Sequence, residues 1–347
     1  MNKEYNFVKK IVTNAPRSPN QINDFFKSDA EVLKVGSQYL CASVDTISEE
    51  ISMGLIRDAK TLGWLSAVIS FSDLAAVGVP PQLLSITKLS SPSGIKIDEK
   101  LFREGIDEAC KTYNVELSEF QSLSGPADLI TSASSALVNE KPSLFRSPLK
   151  IGDKIYSTGP LGLGNAVAFA NVAIRSRSPE QADALDKSYR PQARIREVQI
   201  IKKYSHACLD TSDGGLFSFD LMASLNSLGI EIDYNQSLIH PLAQQISKLA
   251  NVNPFIFFAA QNGEFELLFA VATELETEFI AACNKENFSF IKAGCVVQDP
   301  GLSLKIGSRT IKLDMSSIQN MLYDRTSADQ YILALLNFAS SNQIEGF

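Results

Sequence analysis

Five aspartates stand where strands or helices meet loops, and they set the chemistry open to this chain. Asp45 closes the apolar stretch Tyr39 to Val44 (YLCASV). Asp73 lies in Ser72-Asp73-Leu74-Ala75-Ala76-Val77-Gly78, Asp210 and Asp213 in Asp210-Thr211-Ser212-Asp213-Gly214-Gly215, and Asp29 in Lys27-Ser28-Asp29-Ala30-Glu31. Only two histidines, His206 and His240, occur in 347 residues, so a His-rich metal site or a Ser-His-Asp triad has little to draw on. Carboxylates without histidines suit hard, oxygen-preferring cations such as Mg²⁺. Such an ion commonly takes one or two protein carboxylates plus phosphate oxygens, so dispersed aspartates around a nucleotide make physical sense. Taken singly, each aspartate is equally a helix cap or turn former; only the set argues for metal.

A second feature is Ser157 to Ala166 (STGPLGLGNA), with Thr158, Gly159 and Gly162 in its turn. It follows an expected strand and precedes an expected helix, where glycines admit a phosphate and a helix start offers free N–H groups. It is neither a Walker A loop nor a complete GxGxxG fingerprint, and a purely structural glycine turn explains it as well. Arg146 has the planar fork that pairs with phosphate oxygens, against the plain alternative of a surface arginine.

The elements that must position these residues are legible in outline. Strands are expected at Tyr39–Val44, Gln82–Lys88, Leu129–Val138, Lys154–Ser157, Ala207–Leu209, Phe265–Val271 and Ile291–Val297. Helices are expected near Asn6–Val12, at Lys60–Leu74, Asp98–Tyr113 (Leu101, Ile106 and Cys110 inward), Asn165–Ile174, Ile195–Lys203, Gly215–Leu225, Glu274–Asn287 and Asp324–Asn337. Ser176–Gln192 reads as an irregular segment, Glu49-Glu50 as a solvated loop pair and Phe255–Phe258 as core. The Pro-containing stretch Lys141 to Gly152 is the best boundary signal, dividing an N-terminal domain (residues 1–148) from a C-terminal one (149–347). The pattern is α+β in two halves with mixed sheets.

Composition narrows the function classes. The chain is 45% hydrophobic and 20% charged with a formal charge of −7, an ordinary globular balance that disfavours a whole-chain nucleic-acid binder. No apolar run reaches the roughly 18 residues of a spanning helix, and the first residues lack the apolar core of a secretory signal. Five scattered cysteines without a CxxC pair read as reduced thiols in a cytoplasmic protein.

Asp45-Thr46, then SDLAAVGVP, FRSPLKIGDKIYSTGPLG, RPQARIREV, LDTSDGGLFSFDLMA and NGEFELLF follow one another in order between about Asp29 and Gly294. This series resembles the thiamine-monophosphate kinases of the AIR synthase-like superfamily. The resemblance implies a two-domain α+β architecture whose N-terminal domain dimerises through its sheet, with ATP and several Mg²⁺ ions in the cleft between domains. It implies metal ligation by Asp29, Asp45, Asp73, Asp210 and Asp213, and nucleotide contacts from Arg146, Thr158, Gly159, Gly162, Asp45 and Thr46. By the same resemblance Asp210, Ser212 and Asp213 serve the transferring phosphoryl group, and Glu264, Phe265 and Glu266 lie on the substrate side. The implied reaction passes the γ-phosphoryl of ATP to the phosphate of a small acceptor in a homodimer, work of positioning and charge neutralisation that needs no histidine base.

The sequence departs from the family pattern at four places. Gly-Asp-Asp-Ala reads Lys27-Ser28-Asp29-Ala30, Gly-Gly-Asp-Thr falls on Gln121-Ser122-Leu123-Ser124 with Asp128 as a possible substitute ligand, Gly-Gly-Glu-Asp-Tyr-Glu-Leu reads Gln261-Asn262-Gly263-Glu264-Phe265-Glu266-Leu267, and an acid-His-Phe element is replaced by Ser48-Glu49-Glu50-Ile51-Ser52. Fewer carboxylates mean fewer or weaker metal sites. An ATP-dependent synthetase acting on another small molecule and a non-catalytic nucleotide-binding homologue therefore stand as alternatives.

Overall fold

The computed structural model describes residues 3–13, 15–321, 324 and 327–344. Its first half contains α1 (Lys3–Val12), β1 (Glu31–Val35), β2 (Gln38–Thr46), α2 (Ser48–Ser52), α3 (Ala59–Ala76), β3 (Leu83–Ser90), α4 (Glu99–Tyr113), β4 (Glu116–Ser124) and β5 (Leu129–Val138). The strands form one sheet in the order β1-β2-β5-β3-β4, antiparallel except for the β3/β4 pair. The second half holds β6 (Lys154–Ser157), α5 (Leu163–Phe169), α6 (Pro179–Ser188), α7 (Val198–Tyr204), β7 (Ser205–Asp210), α8 (Gly215–Asn226), β8 (Gly229–Asp233), α9 (Pro241–Ala250), α10 (Phe255–Ala259), β9 (Leu267–Val271), α11 (Glu276–Lys285), β10 (Ile291–Val297), β11 (Gly301–Ile306), β12 (Arg309–Leu313) and α12 (Ala328–Ser341). Its seven strands run β12-β11-β8-β10-β6-β9-β7, with only β11/β8 parallel. The fold is α+β with two mixed sheets, as the sequence suggests.

Helix α3 joins the two halves. Seventeen of its 18 residues are buried, as befits a helix apolar on every side. It packs on β2 and β5 of the first sheet and on β7 of the second. Asp58 caps its start by accepting from the Thr61 N–H at 2.8 Å. The inward face of β5 is Ile130, Ser132, Ser134 and Ala136, small enough for α3 to lie close, and Ser134 Oγ donates to the Ser70 carbonyl at 2.8 Å.

On its other side α3 meets α4 through two glycines. A Cβ on Gly63 would fall 1.9 Å from the Phe102 carbonyl oxygen, and one on Gly105 would fall 2.1 Å from that of Lys60. Neither backbone can yield without parting the helices. Gly63→Ala is expected to destabilise the protein by about 3 kcal/mol, the upper range for overpacking, read as a lower urea midpoint with an unchanged slope.

Several elements differ from the sequence reading. Pro179–Ser188 is a helix, not irregular chain: Pro179 occupies the first turn and Ala182 and Asp186 are buried. The N–H groups of Arg57 and Asp58 are satisfied by Asp186, a tertiary contact with no local signature. Gln121 to Ser124 belong to β4, whose mostly exposed pattern masks it as a strand. Leu101 is exposed on α4, and Phe102, Gly105, Ile106, Ala109 and Cys110 form its buried face. No helix of the described residues is long and apolar enough to cross a membrane.

Candidate metal and phosphate site

Three elements bring carboxylates to one point between the sheets. Asp29 lies just before β1, Asp73 in the last turn of α3, and Asp210 at the end of β7. Each offers an oxygen within 4.8 Å of the others. The local sequence explains the placement. Ser43 and Asp45, two apart on β2, share one face of the strand, and Ser43 Oγ donates a short hydrogen bond to Asp73 Oδ2. Ser72 Oγ donates to Asp210 Oδ2 at 2.6 Å, pinning α3 to β7. Ser212 Oγ donates to Asp210 Oδ1 at 2.9 Å.

The electrostatics are those of carboxylates gathered without enough counter-charge. Burial, then repulsion from Asp210, Asp45 and Asp29, raises Asp73 well above the usual carboxylate range. Burial and Asp29 push Asp210 up to about 7, against smaller opposing effects from Ser72, Ser212 and Arg146. Arg146 donates from Nη2 to Asp29 Oδ1 at 2.8 Å and from Nε at 3.2 Å. The other oxygen of that buried carboxylate, Asp29 Oδ2, has no hydrogen-bond partner. An all-oxygen set with an orphaned buried acceptor fits a hard divalent cation.

The other expected residues are placed as follows. Asp45 acts electrostatically on Asp73 and so borders the cluster. It accepts from the Thr46 N–H at 2.7 Å, while Thr46 Oγ1 donates to the Ile130 carbonyl. Asp213 is exposed on the loop after Asp210, within electrostatic reach of Asp29, Arg146, Glu49 and Glu50. Arg146 is turned onto Asp29 rather than toward solvent. Its Nη1 donates to the Phe26 carbonyl at 3.4 Å, so the whole fork is engaged within the protein.

The glycine loop differs most from expectation. The N–H groups at the start of α5, read from sequence as open to a phosphate, are taken by the chain's own Glu264, which accepts from Leu163 N at 2.7 Å and Gly164 N at 3.1 Å. Thr158 Oγ1 donates to Glu266 Oε2 at 2.5 Å, and a Cβ on Gly159 would fall 2.7 Å from the same carboxyl group. Gly162 adopts φ +101° at the helix start, a conformation glycine tolerates. Glu266 forms an ion pair with Arg194, and Phe265 is buried at φ +60°. The segment from Glu264 to Glu266 pairs through its backbone with Thr211 and thus supports the Asp210–Asp213 loop from beneath. Burial raises the Glu264 carboxyl to about 8.

Glu50 escaped the sequence reading. It is no solvated loop residue: its Oε2 is buried without a partner, and burial pushes the carboxyl up to about 8. Consecutive glutamates carry no sign of this; the turn at Gly54, which folds Leu55 N back onto the Glu50 carbonyl, supplies it. Asp128 stands outside the cluster of Asp29, Asp73 and Asp210 and accepts from Ser91 N at 2.7 Å and Ile95 N at 2.9 Å. His206 pairs with Asp153 at 2.8 Å, and Cys208 is fully buried.

The chain matches the family model for the N-terminal domain of AIR synthase related proteins over residues 27–124 and that for the C-terminal domain over residues 150–307. It is 25% identical to the thiamine-monophosphate kinase of Buchnera aphidicola from Schizaphis graminum over 304 residues, covering 84% of this chain and 90% of that one. The thiamine-monophosphate kinase of Escherichia coli is 27% identical over 241 residues, 67% of this chain and 71% of that one. Among solved structures, AaThiL complexed with AMPPCP and TMP superposes with a TM-score of 0.70 at 20% identity, covering 88% of this chain and 94% of that one. Escherichia coli HypE, a hydrogenase maturation protein, superposes at 0.62 and 16% identity over 90% and 98%. Two mixed sheets bridged by one buried helix, an acidic site at their junction and both halves of the family model in order lead to one statement: the chain belongs to the AIR synthase related family.

Proposed function

We propose that this protein transfers the γ-phosphoryl of ATP to the phosphate of a small acceptor, thiamine monophosphate, with Mg²⁺ as the counter-ion. The observation that carries the reading is the convergence of Asp29, Asp73 and Asp210, with Asp29 Oδ2 unpaired. The names of the relatives, and AMPPCP and TMP in a structure of the same fold, support the choice of donor and acceptor. Asp29, Asp73 and Asp210 would hold the ion, with Asp45 and Asp213 at its margin. When bound, Mg²⁺ supplies positive charge against the phosphate oxygens.

The chain's own groups do the rest. Ser72 and Ser43 orient two of the carboxylates by hydrogen bonds. Ser212 donates from both its Oγ and its N–H to Asp210 Oδ1 and so steadies that carboxylate. Arg146 fixes Asp29 and adds the site's resident positive charge. An acceptor that is already an ionised phosphate needs no general base, consistent with two histidines that lie in other contacts.

We infer a homodimer built on the open face of the five-stranded sheet. Val44 (70% exposed), Leu83 and Leu137 stand there among small residues such as Ala42, Ala133 and Ser135. A contiguous apolar face of this kind is normally covered. Domain division at residues 148/149 and a cytoplasmic setting complete the proposal, the latter supported by five free cysteines.

The test is incubation of purified protein with Mg-ATP and thiamine monophosphate, with chromatographic detection of thiamine diphosphate and ADP. The expected result is stoichiometric formation of both. ADP release without thiamine diphosphate would refute this acceptor, and absence of either product would refute the phosphotransfer reading.

A further inference from the structure

The stretch Arg190-Pro191-Gln192-Ala193-Arg194 belongs to the series of motifs but has no part in the site described so far. It runs without regular structure from the end of α6 toward α7, yet Tyr189 is 1% and Ala193 4% exposed. Buried irregular chain must find partners for its polar groups across the fold. This segment finds them on both halves of the molecule and so forms a strap between them.

On the first half the strap is held by α3 and α4. The Trp64 indole N–H donates to the Pro191 carbonyl at 2.7 Å. The Tyr113 hydroxyl accepts from Ala193 N at 2.9 Å and donates to Gln192 Oε1 at 3.1 Å. Arg190 Nη1 donates to Thr61 Oγ1. On the second half the Tyr189 hydroxyl donates to the Gly263 carbonyl at 2.7 Å. Arg194 sets its fork on Glu266, with Nε donating to Oε2 at 2.8 Å and Nη2 to Oε1. A two-point pair of this kind fixes direction as well as charge.

Glu266 in turn carries the acidic loop. Its N–H donates to Thr211 Oγ1 at 3.0 Å, and its carbonyl accepts from Thr211 N at 2.8 Å. A Cβ on Gly263 would fall 2.5 Å from the Ser212 carbonyl oxygen, so the Gly263–Glu266 stretch is the floor on which the Asp210–Asp213 loop rests. Contacts therefore run from α3 and α4 through the strap to Arg194, Glu266 and Thr211, next to Asp210. Asp73 lies in the last turn of the same α3. Arg194 itself pairs with Glu266 and Glu197, not with Asp29, Asp73 or Asp210.

We propose that Arg194 is a positioning residue: through Glu266 it sets where the Asp210–Asp213 loop stands against the cation, and the strap makes that placement depend on α3 and α4. The proposal rests on the reading of the acidic cluster as a Mg²⁺ site, not on the choice of acceptor. A cation acting through space would repel Mg²⁺, so its removal would tighten Mg²⁺ binding. A purely structural arginine would lower stability and leave the Mg²⁺ affinity of the folded protein alone. A positioning arginine weakens Mg²⁺ binding when it is lost.

Mg²⁺ binding is measured by calorimetry on the full chain, well below its melting temperature, with urea titrations alongside. The variants are Arg194→Ala, Arg194→Lys, Tyr113→Phe, Glu266→Ala and the double variant Arg194→Ala/Glu266→Ala. Arg194→Ala and Glu266→Ala are each expected to raise the Kd for Mg²⁺ about tenfold, the low end for losing a group that orients a metal ligand. Arg194→Lys, a point charge without the fork, should raise it about threefold. Tyr113→Phe, which loosens the strap and leaves Arg194 in place, should raise it about two- to threefold. The double variant should lie within about twofold of Arg194→Ala, because the two side chains act along one line. Unchanged or tighter Mg²⁺ binding in folded Arg194→Ala, or fully additive losses in the double variant, would overturn the proposal. Wild-type affinity in Tyr113→Phe would overturn the strap's part in it. If Arg194→Ala fails to fold, Arg194→Lys decides the question, and wild-type affinity there counts against the proposal. Absence of Mg²⁺ binding in the wild type would sink the metal reading and the proposal together. The expected shifts without any formation of thiamine diphosphate would sink the phosphotransfer reading and keep the role of Arg194.

Discussion

Asp210→Asn should lower Mg-ATP-dependent turnover by about three orders of magnitude, the loss expected when one ligand of a charge-neutralising ion is removed. The same substitution should make the metal-free protein more stable. Asp210 sits 3% exposed within 4.8 Å of two other carboxylates, and its folded form holds a proton up to about pH 7. An unfolded aspartate releases that proton near pH 3.9. Between those values the folded state binds more protons than the unfolded one, so stability falls as pH rises from about 4 to 7. Glu50 and Glu264, both raised to about 8, extend the decline upward. Thermal melts of the metal-free wild type should therefore fall from pH 5.5 to 8, and Mg²⁺ should restore them most at pH 8, where it stands in for the lost protons. In Asp210→Asn the decline should shrink and the Mg²⁺ response should vanish. A Mg²⁺ response that survives in the variant would show that the ion binds elsewhere.

Arg146→Ala should destabilise the fold by about 3 kcal/mol, as breaking a buried ion pair from one side does. Asp29, with its side chain 1% exposed, would lose its cation and remain beside two further carboxylates. The arginine also fastens three parts of the chain. Its N–H donates to the Lys27 carbonyl, its Nη1 reaches the Phe26 carbonyl, and its own carbonyl accepts from Asn226 Nδ2 of α8. Arg146→Lys should recover part of the loss, because a point charge can face Asp29 but cannot match the fork. Mg²⁺ should rescue Arg146→Ala more than wild type, since the ion then supplies the missing positive charge. Urea titrations with and without Mg²⁺ measure both effects, and an equal Mg²⁺ increment in the two proteins would contradict the shared-charge account.

Residue types and order alone settled several matters. The aspartates, the scarcity of histidines and the ordered series of motifs pointed to oxygen-bound metal, phosphate chemistry and the family. Helix α3 was readable because burial on all sides leaves an apolar or small-residue run, and strand β5 because its small residues alternate between a buried and an open face. Tertiary structure decided what those residues face. Arg146, read as a phosphate clamp, is committed to Asp29 because a buried carboxylate must find its cation nearby. Glu264, read as a substrate contact, caps α5, and Glu50, read as solvated, has a buried Oε2. Asp128 holds a turn. For Arg146, Glu264 and Asp128 the side chain's chemistry was visible in the sequence, but its partner lay across the fold, up to 117 positions away for Arg146 and Asp29. Local pattern fixes which groups a segment offers; only packing fixes which of them are already satisfied and which remain free to bind.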